Sequence, residues 1–402
     1  MKIHLIGVGG VGMSALATVL AKQGHEVSGS DRNLATANIR FLEGLGIRCL
    51  PDDGSLGGGA VPDEVIVSTA IEETNRDLLR AREFGVKVTH RAAALSAALS
   101  QKRLVAVAGT CGKSTVTAML GHVLAECGFD PLCVNGANVP GWDGAVRFGA
   151  GEYAVAEVDE SDKSLVAFKP FAAIVTNASA DHYSKEEMDC VFDAFVKDVP
   201  GPVIDARLHG CGEFPGALRM PGRHNRENAA LAVEMAVALG ADPARAAAAL
   251  ASFRGVSRRL DLHGSRVYDD YAHNPEKLRA MWKTLAETSA GKPVCAVWRP
   301  HGYAPLRKML QALAEMFNET MRDGDVLLLL PVYDAGGTTD RSINSDALAA
   351  LLKPGACELV ADHDAAVEWL RSRASRFGAI ATCGARDPYL PDLAERIAQA
   401  IA

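Results

Sequence analysis

Residues 104–115 constrain the fold more than any other stretch. An apolar run, Leu104 to Val107, leads into Ala108-Gly109-Thr110-Cys111-Gly112-Lys113-Ser114-Thr115, and a helical pattern follows from Val116 to Glu126. That order spells a strand, a glycine turn with inward backbone N–H groups, and a helix whose first turn carries a lysine and two hydroxyls. The pattern G-x-x-x-x-G-K-[ST] is not met strictly, because Val107 stands where its first glycine would be. A lysine at a helix start opposes the dipole and is accounted for by a bound anion. Lys113 is therefore expected at the outer phosphates of a nucleoside triphosphate, and Ser114 or Thr115 at Mg²⁺. The competing reading is an ordinary strand-turn-helix with a solvated lysine.

With 402 residues the chain is too long for one ordinary core, and two or three domains are expected. Acidic residues number 49 against 42 basic ones, a net charge of -7, which offers no general attraction to nucleic acid or an anionic membrane. Nine cysteines without a C-x-x-C pair argue against a disulfide framework and a zinc knot. No apolar run reaches membrane-spanning length and the start runs straight into a glycine turn, so a soluble cytoplasmic protein is expected.

Residues 2–6 read as a buried strand that turns at Gly7-Val8-Gly9-Gly10-Val11-Gly12 into a helix from Met13 to Lys22, with Asp31 following the next strand. Alternation continues to a strand at Val86 to Thr89, as in an open parallel sheet. Such a turn with a following acidic residue is compatible with a dinucleotide. A second nucleotide loop at Gly109 makes a dehydrogenase less economical. A diphosphate at the helix N-terminus is the better supported ligand, with Asp31 accepting from a ribose or other hydroxyl.

Further on, a strand from Tyr153 exits through Glu157-Val158-Asp159-Glu160-Ser161-Asp162. Carboxylates this dense repel unless a cation joins them. Glu157, nearest the strand body, is the expected Mg²⁺ ligand, and a solvated acidic loop is the alternative. The strand Ala172 to Thr176 leads to Asp181-His182, on the same rim as Lys113 and Glu157, where an imidazole can meet metal or phosphate. Asn225 and Asn228 open a long alanine-rich helix and can pair with a purine edge; N-capping by Asn225 is the alternative. The pair Arg258-Arg259 at a boundary suggests bridging to an anionic ligand. Asp269 to Pro275 reads as a polar turn, and a second open α/β sheet follows.

Taken in order, Ile6 to Ser14, Gly109 to Thr115, Glu157 to Asp162, Thr176-Asn177 with Asp181-His182, Pro221-Gly222-x-His224-Asn225, Arg258-Arg259 and Asp269-Asp270-Tyr271-Ala272-His273-x-Pro275 resemble the Mur ligase superfamily over almost the whole chain. Ile6 to Ser14 in particular resembles the opening of the branch that holds UDP-N-acetylmuramate–L-alanine ligases and murein tripeptide ligases. The resemblance implies a three-domain α/β architecture. A Rossmann-like UDP-substrate domain would span 1–100, a central P-loop ATPase-like domain 101–257, and a C-terminal Rossmann-like ligase domain 258–402. It also implies an ADP-forming ligase that uses ATP and Mg²⁺ to join a small-molecule acid, such as a UDP-sugar, to an amino acid or peptide through an acyl phosphate. No nucleic acid or membrane partner is implied, and a monomer or weak homodimer is.

By the same resemblance Lys113, Glu157, His182, Arg259 and His273 serve catalysis, with Ser114, Glu157 and His182 around magnesium. Gly109, Thr110, Gly112, Lys113, Ser114 and Thr115 hold the phosphates. Asn225 and Asn228 approach adenine, Arg259 a phosphate and Asp270 the ribose. Gly9, Gly12, Asp31, Ser68, Thr69 and Arg91 face the acceptor. The chain departs from the branch at Cys111 and Asn274, where histidines are usual, and at Gly302 and Ala304-Pro305 in the Pro-His-Arg-Tyr-Thr-Arg motif; the interval from His182 to Gly222 is also shorter. A ligase for a non-muramate acid, a non-catalytic nucleotide-binding homologue and a P-loop kinase are the alternatives.

Overall fold

Three sheets form where the sequence runs apolar between glycine turns. The computed structural model describes residues 1–56, 59–159, 164–178, 185–334, 336 and 339–402. The first sheet comprises β1 (Lys2–Ile6), β2 (Glu26–Asp31), β3 (Arg48–Pro51), β4 (Glu64–Val67) and β5 (Lys87–His90), with α1 (Val11–Lys22), α2 (Ala37–Gly44), α3 (Arg76–Glu83) and α4 (Arg91–Leu99) between and after them. Its order is β3-β2-β1-β4-β5 and every pairing is parallel.

The second sheet begins with β6 (Arg103–Ala108), followed by α5 (Lys113–Glu126), β7 (Leu132–Val134), β8 (Val146–Arg147), β9 (Tyr153–Glu157), β10 (Ala172–Val175), α6 (Lys185–Val196), β11 (Val203–Asp205), α7 (Ala206–His209), α8 (Arg223–Ala238) and α9 (Pro243–Ala249). The order β11-β10-β6-β9-β7-β8 places β6 between β10 and β9, both parallel to it. β6 is buried from Leu104 onward, and α5 is buried along nearly its whole length. A strand and helix buried to this extent occupy the centre of a domain, and each fully buried Val or Leu contributes roughly 1.5–3 kcal/mol.

The third sheet holds β12 (Asp261–His263), β13 (Val267–Asp270), α10 (Pro275–Thr288), β14 (Val294–Trp298), α11 (Tyr303–Thr320), β15 (Val326–Leu329), α12 (Ser345–Ala349), β16 (Cys357–Leu359), α13 (His363–Arg371), β17 (Ala379–Cys383) and α14 (Leu390–Ala400), in strand order β12-β13-β17-β14-β15-β16. Only β12 runs antiparallel to its neighbour here.

The chain divides into two compact units. One is Met1–Arg219 with Asn225–Val256, the other Met220–His224 with Ser257–Ala402. The first two sheets share one core within the first unit, where Leu95 and Leu99 of α4 join the cluster of Leu165, Phe168 and Phe192. An ion pair of 2.6 Å from Lys22 of α1 to Asp143 adds to this packing.

Two readings need correction. Asp269 and Asp270 are not in a turn: they end β13 and are buried. Asn225 does not cap a helix, because α8 starts two residues earlier at Arg223. The strands β3, β7, β8, β11 and β12 escape the sequence reading, having only 2 to 4 residues in which to display alternation.

Candidate active site

The loop after β6 is built by its glycines and by a latch from the next strand. Gly112 caps α5 at φ +86, a left-handed conformation natural to glycine, and no side chain caps the helix. The first-turn N–H groups of α5 are thus not taken up by a capping side chain and suit an anion. Gly109, at φ +128, approaches β10 so closely that a Cβ there would overlap the Thr176 hydroxyl. Just past β10, Asn177 Oδ1 accepts from the Thr110 hydroxyl at 2.6 Å and from the Cys111 N–H at 2.9 Å. Asn177 Nδ2 and Thr176 Oγ1 donate to the Cys111 carbonyl at 2.9 and 2.6 Å.

Those bonds use the backbone of residue 111, so its departure from histidine leaves the latch intact. Lys113 folds back over the loop and its Nζ donates to the Gly109 carbonyl at 2.6 Å. Asn228 of α8 abuts the loop, its Oδ1 only 2.6 Å from where a Cβ on Gly112 would stand. Asn225 and Asn228 are both buried.

Glu157 ends β9 opposite Val107 of β6, so it shares a rim with the loop. Its Oε2 accepts from the Gly136 N–H at 2.8 Å. Among the described residues Oε1 accepts no hydrogen bond. Ser114, the second residue of α5, and Thr115 are buried. A hydroxyl and a carboxylate oxygen are hard donors that suit Mg²⁺, which takes its remaining ligands from phosphates and water. Among the described residues no three His, Cys, Asp or Glu side chains gather as a metal set. His182, with Glu160, Asp162 and Asp181, lies outside the described residues.

In the first sheet the turn after β1 gathers four of the six expected acceptor contacts. Gly9 N–H donates to Asp31 Oδ2 at 2.9 Å, and Asn33 N–H to Oδ1 at 2.9 Å. Asp31 therefore shapes the turn as well as facing it. Asn38 Nδ2 donates to the Gly9 carbonyl at 2.9 Å. The Arg91 guanidinium lies against Gly12, with Nη1 2.9 Å from where a Cβ would be. α1 begins at Val11 with Gly10 as its N-cap, again without a side-chain cap. A guanidinium beside uncapped helix N–H groups is chemistry that suits a diphosphate. Ser68 and Thr69 follow β4, the strand beside β1.

In the second unit, Asp270 is held between the N–H groups of Leu260 and Ala272, each at 2.8 Å. Burial pushes its carboxyl up to about 6, against the opposing pull of Arg259 and those two N–H groups. The two arginines divide: Arg258, at φ +61, pairs with Asp269 at 3.0 Å and donates to the Gly384 carbonyl at 2.7 Å. Arg258 is thus a fold contact, and Arg259 lies over the Tyr271 ring at 5.6 Å. His273 Nδ1 lies 2.8 Å from the Tyr271 carbonyl, and its ring meets that of His301 edge-on at 4.9 Å. Asn274 caps α10, its Oδ1 accepting from the Lys277 N–H at 3.0 Å, which gives that departure a structural reason.

Asn177, Gly136 and Asn38 received no role from the sequence. Thr176-Asn177 stood among the motif residues, but nothing in its spacing announces a contact with the loop 66 residues earlier.

A family profile described as Mur ligase family, catalytic domain, matches residues 2–103, and one described as Mur ligase, glutamate ligase domain, matches residues 256–386. The chain is 34% identical over 458 residues to a UDP-N-acetylmuramate–L-alanine ligase of Paenarthrobacter aurescens, spanning 98% of this chain and 97% of that protein. A protein of the same name from Synechococcus sp. strain JA-3-3Ab is 36% identical, over 92% of this chain and 79% of the relative. The solved UDP-N-acetylmuramate-alanine ligase of Thermotoga maritima superposes with a TM-score of 0.81 at 26% identity, covering 99% of this chain and 98% of the other. A murein peptide ligase from Psychrobacter arcticus shares the fold, with a TM-score of 0.67 at 21% identity over 100% and 98% of the two chains.

Proposed function

The chain belongs to the Mur ligase family, and from that premise we propose that it joins the carboxylate of UDP-N-acetylmuramic acid to the amine of L-alanine at the expense of ATP. The observation that carries this is the latched loop at Gly109–Gly112, with Lys113 folded over it and Glu157 on the adjoining strand end. We divide the work among segments 1–100 for the UDP acid, 101–257 for ATP and 258–402 for ligation. A cytoplasmic monomer or weak homodimer fits the reading.

A carboxylate is a weak nucleophile and hydroxide a poor leaving group. The acid carboxylate therefore attacks the γ-phosphorus, the bond to the β-phosphate oxygen breaks, and ADP leaves an acyl phosphate. The amine then adds to the acyl carbon, loses a proton, and the tetrahedral intermediate expels phosphate. Lys113 and the N–H groups of the loop and α5 counter the charge on the transferring phosphoryl group. Ser114 and Glu157 would hold Mg²⁺, with His182 the third expected ligand; the ion supplies charge neutralisation on the phosphates.

Gly9, Gly12, Asp31, Ser68, Thr69 and Arg91 are assigned to the UDP end of the acid. Asn225 and Asn228 are assigned to adenine. Arg259, Asp270 and His273 are assigned to phosphate, ribose and the reacting centre.

A second reading, a ligase for another acid and amine pair, is favoured by Gly302 and Pro305, where the branch carries arginines. An ADP-release screen decides between them. It starts from UDP-N-acetylmuramic acid with L-alanine, glycine, L-serine or a murein tripeptide, with product masses measured. ADP that depends on both UDP-N-acetylmuramic acid and L-alanine, with the amide product, is expected. ADP only with a different pair would leave the ligase class standing and remove the muramate assignment.

A further inference from the structure

We propose that Asn135 and Gly136 are positioning residues for Glu157, a role that rests on reading Glu157 as a magnesium ligand. β7 runs parallel to β9 with Val134 opposite Ala156, so Asn135 and Glu157 leave the sheet side by side. The Gly136 N–H takes Glu157 Oε2 at 2.8 Å, which leaves Oε1 as the oxygen presented to a cation.

Asn135 holds this turn in shape. Only 2% exposed, it donates its N–H to the Ala145 carbonyl at 2.9 Å and its Nδ2 to the Ala137 carbonyl at 2.9 Å, bracing the turn on both sides of Gly136. Its Oδ1 is buried and, among the described residues, accepts from no donor, so the donor end alone orients the amide. Residue 136 must also lack a side chain. A Cβ there would stand 2.6 Å from Glu157 Cδ and drive the carboxylate off the N–H. The two residues thus do for the cation what partners behind a metal ligand generally do: they fix which atom is offered and in what direction.

The test is a Mn²⁺ titration followed by electron paramagnetic resonance, on the full chain loaded with a non-hydrolysable ATP analogue. It compares wild type, Gly136→Ala, Asn135→Ala and Glu157→Gln, with thermal melts and the Mg²⁺ dependence of ADP release measured alongside. Gly136→Ala and Glu157→Gln are each expected to weaken Mn²⁺ about 10- to 100-fold, and Asn135→Ala to weaken it in the same direction. In the two turn variants saturating Mg²⁺ should recover most of kcat while the KM for the acid stays unchanged. Wild-type Mn²⁺ affinity in Gly136→Ala, beside a weakened Glu157→Gln, would overturn the positioning role. Should Gly136→Ala not fold, unchanged affinity in Asn135→Ala overturns it equally. Wild-type affinity in Glu157→Gln would instead remove the cation reading of Glu157 itself.

Discussion

Lys113 is assigned the heaviest chemical load in the reaction we propose. Its Nζ bond to the Gly109 carbonyl contributes roughly 1.5–3 kcal/mol at most to folding, whereas on our proposal its charge would oppose the one that builds up during phosphoryl transfer. Lys113→Ala should lower kcat by about a thousandfold and move Tm by no more than a few degrees. Turnover close to wild type would contradict the loop assignment.

Asn177 acts differently, because its amide makes three bonds to Thr110 and Cys111. Asn177→Ala should raise the KM for ATP about tenfold or more through a loosened loop, at a stability cost of roughly 2–3 kcal/mol. An unchanged KM would show that the latch does not shape the nucleotide site.

Asp270 sets a pH signature. Its carboxyl sits at about 6 in the fold against 3.8 ordinarily, so between about pH 4 and pH 6 the folded state holds more protons than the unfolded one. Stability from this group is present below about pH 4 and is lost as pH rises through 6, leaving a cost of roughly 3 kcal/mol at neutral pH. Urea midpoints for Asp270→Asn should show a flatter fall over that window. A residual slope should remain from Asp52, Asp261 and Asp269, whose carboxyls burial also raises. Superimposable profiles would assign the slope elsewhere.

At the scale of elements, the start of α5 unites fold and chemistry. Gly112 must accept φ +86 and must also leave room for Asn228 of α8. Gly112→Ala should cost about 1–2 kcal/mol from the backbone alone and more from the overlap. Adding Asn228→Ala should recover the overlap part but not the backbone part, as a double-mutant cycle of urea midpoints measures. Strict additivity would mean that the two residues do not touch.

These elements also mark how far the sequence can be read. The strand before the loop, the glycine turns and the long helices are legible because apolar runs and 3.6-residue periodicity persist over many residues. The rim that carries Lys113 and Glu157 follows from parallel strands ending together. The hairpin partner β12 and the edge strand β8 are not legible, since pieces of 3 and 2 residues have no period. The contact from Asn177 to Cys111 is hidden for another reason: it spans 66 residues of sequence and depends on β10 lying beside β6. Asp269 and Asp270 mislead a reader of pattern because charged residues rarely end a buried strand. Here the Arg258 guanidinium and the N–H groups of Leu260 and Ala272 satisfy them.

Across the whole molecule the two compact units bear on how it unfolds. The fully buried Trp282 and Trp298 lie in the second unit, so tryptophan emission reports chiefly on that unit, while backbone circular dichroism reports on both. The transitions seen by the two probes should not coincide. MgATP at 100 times its Kd adds about 2.7 kcal/mol to the state that binds it. Its upward shift should vanish in Lys113→Ala, and a shift that survives in that variant would place nucleotide affinity elsewhere.

Every catalytic role proposed for this chain depends on a carboxylate being phosphorylated before the amine arrives. Transfer of ¹⁸O from labelled acid measures this directly. With both carboxylate oxygens of UDP-N-acetylmuramic acid labelled, turnover with L-alanine should place one ¹⁸O in the released inorganic phosphate and leave one in the amide product. Phosphate that carries no label while amide accumulates would contradict an acyl phosphate, and with it the work assigned to Lys113 and its loop.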